Sequence, residues 1–135
     1  MQKHPLFAAT LLALGIGAAQ AQPVLQGGIV TDPAGRTLYV FDKDQADKSN
    51  CTGACLQAWP AYVADAAAGA KVHPKAARMD NRQWTWNHKP LYYFAGDAQP
   101  GDKAGDGSGG VWHIVKPAAP SASASATPSP SAYTY

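Results

Sequence analysis

The sequence has no glutamate, few charged residues and no long hydrophobic run. Of its 135 residues only 15% are charged, and the formal net charge is +2. This compares with about 25% charged residues in an average soluble protein. So small a charge excess excludes the strong field that a binder of nucleic acid or of an anionic membrane surface would show. The N-terminal apolar stretch, residues 6–19, is shorter than the roughly 20 residues that span a bilayer. The mature chain is therefore expected to have no transmembrane span.

Motifs of common catalytic sites are also missing. There is neither a Gly-x-Ser-x-Gly nucleophile motif nor a His-Glu-x-x-His zinc motif. The glycine-rich segment 105–110 resembles a phosphate-binding loop only superficially, because it lacks the lysine and the following helix. The sequence therefore predicts that the protein is not an enzyme.

Both ends of the chain differ in composition from the middle. The N-terminus has a basic start, a short apolar stretch and an Ala-Gln-Ala site, the order typical of a secretory signal peptide. We assign residues 1–21 to this signal, which predicts a periplasmic or secreted protein with no lipidation cysteine at the cleavage site. Residues 117–135 are rich in Ala, Ser and Pro and are predicted to form a disordered tail. The predicted domain is residues 22–116.

Inside this domain the sequence repeats itself at a fixed offset. We take residues 28–60 as repeat one and residues 83–113 as repeat two, two structural units within one domain. An offset of 53 residues pairs identical aromatic and acidic residues of the two copies: Tyr39 with Tyr92, Phe41 with Phe94, Asp44 with Asp97, and Trp59 with Trp112.

Each repeat begins with the pattern of a β-hairpin followed by a loop. Strand-forming residues at 28–31 and 37–41 flank a turn in repeat one, and residues 83–86 and 91–94 do so in repeat two. Alternate side chains share one face of a strand, so Tyr39 and Phe41 are expected to face away from Leu38 and Val40. These patterns predict a mainly β fold of two pseudo-symmetric hairpin-plus-loop repeats, with a small α+β arrangement as the alternative.

Two short helical segments are expected beside the hairpins. The first covers residues 51–58, capped by Ser49 or Asn50 and ended by Pro60. The second is a single helical turn at residues 75–78, within an otherwise irregular connector.

Cys51 and Cys55 are the only cysteines. An even cysteine count in an exported protein favours a disulfide, and a spacing of four on a helical turn puts the Cα atoms about 6 Å apart, within disulfide range. A soft-metal pair and a redox dithiol are the alternatives. Repeat two has Ala104 and Ser108 at the corresponding positions, so the pair is local to repeat one.

All nine acidic residues are aspartates, and six of them lie in the two equivalent loops: Asp42, Asp44, Asp47, Asp97, Asp102 and Asp106. Aspartate closes turns through its own backbone, which is the favoured interpretation. A hard cation such as calcium is the alternative, although no glutamate is present to supply a bidentate ligand. A copper or zinc site that includes His88 and His113 is also chemically reasonable. No cofactor is predicted.

The folded part holds ten aromatic residues, which can fill a small core. Trp84 and Trp86 share one face of a predicted strand. If that face is exposed, it is the best candidate surface for an envelope polymer or protein partner.

The motif Tyr-x-(Phe/Trp/Tyr)-x-x-Asp occurs twice, at residues 39–44 and 92–97. Together with the cysteine loop, Trp59-Pro60 and the segment 110–113, it resembles the bacterial secreted-repeat family of predicted lipoproteins over residues 28–115. The resemblance implies an exported protein of two repeats, often lipid-anchored, with no assigned molecular function. We expect a non-enzymatic envelope module that binds or has a structural role. The alternative is a periplasmic metal-handling or redox protein that uses the aspartate loops, the cysteines or the histidines.

Overall fold

A computed structural model of the protein describes residues 21–66 and 69–117. The predicted tail lies outside these residues except for Pro117, and the predicted signal lies outside them except for Ala21. The described segments contain no helix long and apolar enough to cross a membrane. They form short elements in this order: β1 (Val24–Gln26), β2 (Ile29–Thr31), β3 (Tyr39–Phe41), α1 (Ala54–Ala58), β4 (Ala76–Arg78), β5 (Trp84–Trp86), β6 (Lys89–Pro90), a 3-10 turn (Ser108–Gly110) and β7 (Trp112–Ile114). The predicted mainly β fold is confirmed.

The strands form three small antiparallel sheets, ordered β1-β2, β3-β7 and β4-β5-β6. In the third sheet β5 lies in the middle. The turn between β5 and β6 consists of Asn87 and His88, whose φ values are 49° and 66°. Two consecutive positive φ values are typical of the type I′ turn that closes a tight hairpin. The predicted second hairpin is therefore present, with a shorter turn than expected.

The two repeats exchange strands. In the sheet β3-β7, Val40 of repeat one lies opposite His113 of repeat two. The equivalent exchange at the other side joins Tyr93 to Pro60, whose carbonyl accepts the Tyr93 N–H at 2.7 Å. Each repeat therefore completes the hairpin of the other. An isolated repeat would leave these strand edges unpaired, so the two copies are expected to fold as one unit.

Tyr39 and Tyr92 lie at the centre of this exchange. The N–H of Tyr39 donates to the Tyr92 carbonyl at 2.8 Å, and the N–H of Tyr92 donates to the Tyr39 carbonyl at 3.0 Å. Hydrogen bonds elsewhere repeat at the same offset: the Asp42 N–H donates to Val111, and the Ala95 N–H donates to Ala58. A quasi-twofold axis therefore passes between the two tyrosines.

The helical predictions need correction. Helix α1 begins at Ala54, because Gly53 takes the cap position with a φ of 58° and no side chain caps it. Ser49 and Asn50 hydrogen-bond to other groups, Asn50 through its side-chain amide to the Lys43 carbonyl at 2.6 Å.

The predicted helical turn at residues 75–78 is wrong, because this segment contains strand β4. Its first residue, Ala76, is buried and lies opposite Trp86 of β5. Cross-strand pairing with β5 thus overrides the helical preference of an alanine-rich segment.

Side chains from opposite faces of the hairpins enter two separate cores. The expected division of Leu38 and Val40 from Tyr39 and Phe41 is confirmed. The first core is mainly aliphatic and includes two tryptophans: Val30, Leu38, Val40, Tyr62, Ala76, Trp84, Trp86, Leu91 and Val115. The second consists of aromatic motif residues and a cysteine: Tyr39, Cys51, Trp59, Tyr92 and Trp112, with Phe41 and Phe94 packed against them.

Candidate functional site

The aromatic motif residues of the two repeats pack against one another across the quasi-twofold axis. Trp59 and Trp112 are stacked, with ring centroids 3.9 Å apart and an interplanar angle of 4°. Phe41 of repeat one stacks on Trp112 at 4.3 Å, and Phe94 of repeat two lies against Trp59 at 4.5 Å. The rings thus hold the two repeats together, and the same contacts are made twice.

The tyrosines and aspartates of the motif are exchanged between the repeats in the same way. The Tyr39 hydroxyl donates to Asp97 Oδ2 at 2.7 Å, and the Tyr92 hydroxyl donates to Asp44 Oδ2 at 2.6 Å. The remaining oxygen of Asp44 accepts the Asn50 N–H at 2.6 Å. The spacing of the motif therefore has a structural explanation, since each aspartate binds the tyrosine of the other repeat.

Burial governs the ionisation of these groups. Desolvation raises the pKa of the Tyr39 and Tyr92 hydroxyls, and their hydrogen bonds to Asp97 and Asp44 raise the pKa further. Burial also raises the pKa of Asp44, although the Asn50 N–H and the Tyr92 hydroxyl oppose this. Both tyrosines therefore stay protonated near neutral pH and act as hydrogen-bond donors.

The loop after each hairpin supports the opposite tyrosine by different means. In repeat one the predicted disulfide between Cys51 and Cys55 is confirmed, with Cα atoms 5.3 Å apart, and Ser49 Oγ lies 2.5 Å from the Tyr92 hydroxyl. In repeat two the Gly105 N–H donates to the Tyr39 hydroxyl at 3.3 Å. A Cβ atom at Gly105 would lie 2.7 Å from the Trp59 ring, so a side chain there would displace core atoms.

The remaining aspartates of the loops hydrogen-bond to backbone amides or histidines. Asp102 Oδ2 accepts the Ala98 N–H at 2.8 Å, and Asp106 Oδ1 accepts the Ile114 N–H at 3.0 Å. These contacts support the interpretation of the loops as aspartate-closed turns. The two candidate histidines each lie 2.8 Å from one aspartate oxygen, in the pairs His113–Asp42 and His88–Asp47.

The candidate metal ligands do not converge. Within residues 21–66 and 69–117, no group of three or more His, Cys, Asp or Glu side chains lies close enough to hold a metal ion. The sequence-based alternative therefore gains no support from the arrangement of these residues.

Trp84 and Trp86 do not form an exposed aromatic face, and that expectation is corrected. Their exposed fractions are only 1% and 3%. The Trp84 indole N–H donates to the Ala64 carbonyl at 2.9 Å, and the His73 ring stacks on Trp86 at 4.5 Å. Both are buried because they pack in the first core, and the alternative interpretation as core residues is confirmed.

A cleft of about 340 Å³ opens beside Trp86, and we call it the open end. Its buried floor is formed by Val40, Trp86 and Val115. The rest of its lining is polar or basic apart from Ile114: Asp42, Lys75, Asn87, Lys89, His113 and Lys116. A volume of this size lies within the range of small-molecule sites.

The quasi-twofold equivalent of this cleft is occupied by side chains, and we call it the filled end. Tyr93 stands where the open end has Val40, and Tyr62 stands where it has Val115. The two tyrosine rings make an edge contact at 5.3 Å, and the Tyr93 hydroxyl donates to Asp32 at 2.8 Å. Burial and this hydrogen bond raise the pKa of Tyr93.

The filled end is closed over by Arg36, the counterpart of Lys89. Its guanidinium carbon lies 4.2 Å from the centre of the Tyr93 ring, a cation–π contact. Of the residues that line the open end, only three were candidate site residues from the sequence: Asp42 and His113 as metal ligands, and Trp86 as part of the aromatic face. The signal was present, because the repeat alignment pairs Val40 with Tyr93 and Val115 with Tyr62, two large differences in size between otherwise similar copies.

These features define a class of protein, a small β domain made of two repeats that exchange strands and bind each other through a duplicated Tyr–Asp motif. A family model described as a secreted repeat of unknown function matches residues 25–64 and 78–116. The matches cover more than half of the chain, so the protein belongs to this family, as the motif predicted. No curated protein and no solved structure shows a significant match to the chain.

Proposed function

We propose that the protein is an exported, non-enzymatic module that binds a polymer or protein partner of the cell envelope at the open end. The family to which it belongs is described as secreted, which supports action outside the cytoplasm. In this proposal the aromatic motif is a scaffold and the cleft is the functional surface.

The engagement of the motif residues supports a scaffold role. The tyrosine hydroxyls donate to aspartates of the opposite repeat, the rings stack in one cluster, and the cysteines are joined in a disulfide. General acid–base or nucleophilic catalysis needs such groups free to reach a substrate. A protein whose most distinctive polar groups are engaged in this way is better suited to binding than to catalysis.

The observation that carries the proposal is that one of two equivalent positions is open. The fold can fill this space, because Tyr93, Tyr62 and Arg36 fill it at the other side. At the open end the chain has Val40 and Val115 instead. An unfilled volume that the same fold closes elsewhere marks a ligand site more strongly than a surface depression alone.

The alternative, a metal-handling or redox protein, is less supported. Its aspartates are hydrogen-bonded to tyrosines, amides or histidines, and its cysteines form one disulfide. No contact of the described residues favours it over binding.

Co-sedimentation with purified envelope material would test the proposal. The protein, exported to the periplasm and purified, is mixed with an insoluble envelope fraction, and bound protein is measured after centrifugation. We expect the wild type to sediment. The Val40→Tyr variant, which reproduces the filled end, should remain in the supernatant.

A control variant, Lys48→Gln, changes an exposed lysine outside the open end and should sediment like the wild type. Circular dichroism of each variant confirms that it is folded. Equal sedimentation of Val40→Tyr and wild type would contradict binding at the open end, and release of soluble fragments from the envelope would contradict the non-enzymatic assignment.

A further inference from the structure

We infer that the open end recognises an acidic sugar unit, whose carboxylate or phosphate group binds the lysines while its ring lies on the apolar floor. The inference rests on the proposed function, because it names the chemistry of the ligand at that same site. It is carried by the lining of the cleft and by the contrast with the filled end.

The charge of the lining favours an anion. Lys75, Lys89 and Lys116 contribute three of the eleven basic residues of the chain to this one cleft. In the part of the chain that the structure describes, the ion pairs are made by other residues, and none joins these lysines to a carboxylate. The carboxylate at the rim, Asp42, lies 2.8 Å from His113 Nε2. A ligand that carries negative charge would therefore meet unpaired ammonium groups, which act as charge-assisted donors.

The filled end shows what happens to a cation when the space is occupied by the chain. There Arg36 packs on the Tyr93 ring, beside Asp32. Its counterpart Lys89 has no ring at position 40 to cover, because that residue is valine. The open end therefore lacks the aromatic ring that packs against the basic residue at the filled end. A ligand with a compact ring would fill this space, and its acidic group would bind the lysines that line the cleft.

The floor favours an organic ligand over a bare inorganic ion. Val40, Trp86 and Val115 form the base of the cleft, where each of these core residues keeps a small exposed apolar area. Binding is favourable when carbon–hydrogen groups of a ligand cover such a surface, because apolar area is removed from water. A hydrated ion gives no such gain, because it must first lose its water. Asn87 and His113 at the rim offer hydrogen bonds to hydroxyl groups. The ligand that fits has ring carbons for the floor, hydroxyl groups for the rim and an acidic group for the lysines. A sugar acid or a sugar phosphate has all three.

The scale of the charge cluster favours a single acidic unit. The net charge of the whole chain is only +2, too small to attract an extended polyanion by long-range steering. A cleft of about 340 Å³ with three lysines instead suits a local, short-range contact. The low overall charge and a specific anion site are therefore compatible.

A titration followed by NMR tests the inference. The ¹⁵N-labelled full-length protein after export is titrated with glucuronate, glucose 6-phosphate, glucose and inorganic phosphate, which separate the acidic group from the ring. We expect shifts of the Val40, Lys89 and His113 amides with at least one of the two acidic sugars. Glucose and phosphate alone should bind at least about tenfold more weakly, the loss of one good interaction in each case. Comparing glucuronate with glucose 6-phosphate shows whether the acidic group is a carboxylate or a phosphate.

Two variants assign the binding to the cleft. Changing Lys75, Lys89 and Lys116 together to Gln should weaken binding of the acidic sugar at least about tenfold, and raising the salt concentration should weaken it in the wild type. A matched control changes three exposed lysines outside the cleft to Gln and should bind like the wild type: Lys48, Lys71 and Lys103. The Val40→Tyr variant should lose binding without loss of the lysines.

The outcomes are separable from the test of the proposed function. Equal binding of glucose and glucuronate, or equal loss in the control triple variant, would overturn the inference. If no acidic sugar binds while sedimentation with envelope still depends on position 40, the proposed function stands and the acidic-sugar chemistry is wrong. A third outcome would also overturn the inference: the cleft amides shift when residues 118–135 are removed and do not respond to glucuronate or glucose 6-phosphate. The cleft would then be assigned to the chain's own C-terminal residues.

Discussion

The open end and the filled end occupy equivalent places in the two repeats but differ in what fills them. At the filled end Tyr93, Tyr62 and Arg36 form a packed and hydrogen-bonded group over Asp32. At the open end the corresponding space of about 340 Å³ is bounded by Val40, Val115 and three lysines. The backbone that carries both ends is the same pattern of exchanged strands.

The two ends distinguish the contacts common to both repeats from the residues that differ between them. The motif contacts occur in both halves, so they belong to the scaffold: the Trp59–Trp112 stack, and a Tyr–Asp hydrogen bond on each side. Residues that differ between the halves are not required for these shared contacts. A duplicated fold thus provides an internal reference, because one half shows what the other would be without the cleft.

Opening the filled end should have the largest effect on stability. Tyr93→Val removes a packed ring and leaves the buried Asp32 without its hydroxyl donor. We expect the free energy of unfolding to fall by about 3 kcal/mol, as for other large-to-small changes in a core. Urea denaturation followed by tryptophan fluorescence measures it.

The reciprocal change, Val40→Tyr, is the matched control. It places a ring in space that is open at this end, so it should cost less than the roughly 1–3 kcal/mol of extra groups forced into a filled core. Equal destabilisation by the two variants would show that the open end cannot accept the ring that its counterpart holds. The assigned equivalence of the two ends would then be wrong.

The loops offer a second contrast, between a disulfide in repeat one and glycine in repeat two. Changing Cys51 and Cys55 together to Ser should lower the free energy of unfolding by about 2 kcal/mol, the loss expected for a loop this short. Urea denaturation of wild type with and without reductant measures the same quantity. A reduced wild type that is as stable as the oxidised protein would contradict this role of the disulfide.

The repeat architecture could be predicted from the sequence because its evidence is local and duplicated. The identical pairs, such as Tyr39 with Tyr92, and the period-two alternation of Leu38 with Tyr39 both depend on nearby residues. The strand exchange could not be predicted, because Val40 meets His113 across 73 positions of the chain, and nothing in either segment specifies its partner.

The candidate site was harder to predict for the same reason. Trp84 and Trp86 have the pattern of an exposed aromatic face, and only their packing in the first core, with residues distant in the sequence, buries them. Residues 75–78 have a composition that favours a helix, and pairing with β5 makes them a strand. The open end depends on the small side chain at position 40. The repeat alignment shows that difference in size, but only the structure shows that it leaves a cleft.

The motif contacts should be equal in the two halves if they belong to the scaffold. Tyr39→Phe and Tyr92→Phe each remove one hydroxyl that donates to a carboxylate, Asp97 or Asp44. Each should lower the free energy of unfolding by about 1.5 kcal/mol, the range for hydrogen bonds to charged groups. Denaturation of the two single variants and the double variant measures both effects and their additivity. A loss in only one of the two single variants would show that the scaffold itself is asymmetric.

The smallest expected effect links the scaffold to the open end through Asp44. Burial raises the pKa of this carboxyl above its ordinary 3.8, while the positive charge of Lys89, a residue of the open end, lowers it. A carboxyl whose pKa is raised by folding binds its proton more tightly in the folded protein. Its contribution to stability is therefore full below the unfolded pKa and is lost as the pH rises through the folded pKa.

Carboxyl-carbon NMR of Asp44 over a pH titration measures the shift directly. Lys89→Gln should raise the pKa of Asp44 further, because it removes a neighbouring positive charge. Lys103→Gln, in the loop of the other repeat, is the control and should leave it unchanged. A pKa of Asp44 below 3.8 in the wild type would show that its hydrogen bonds and the charge of Lys89 outweigh its burial. A fall in Lys89→Gln would show that Lys89 does not stabilise this carboxylate, and the scaffold and the open end would then not be linked through Asp44.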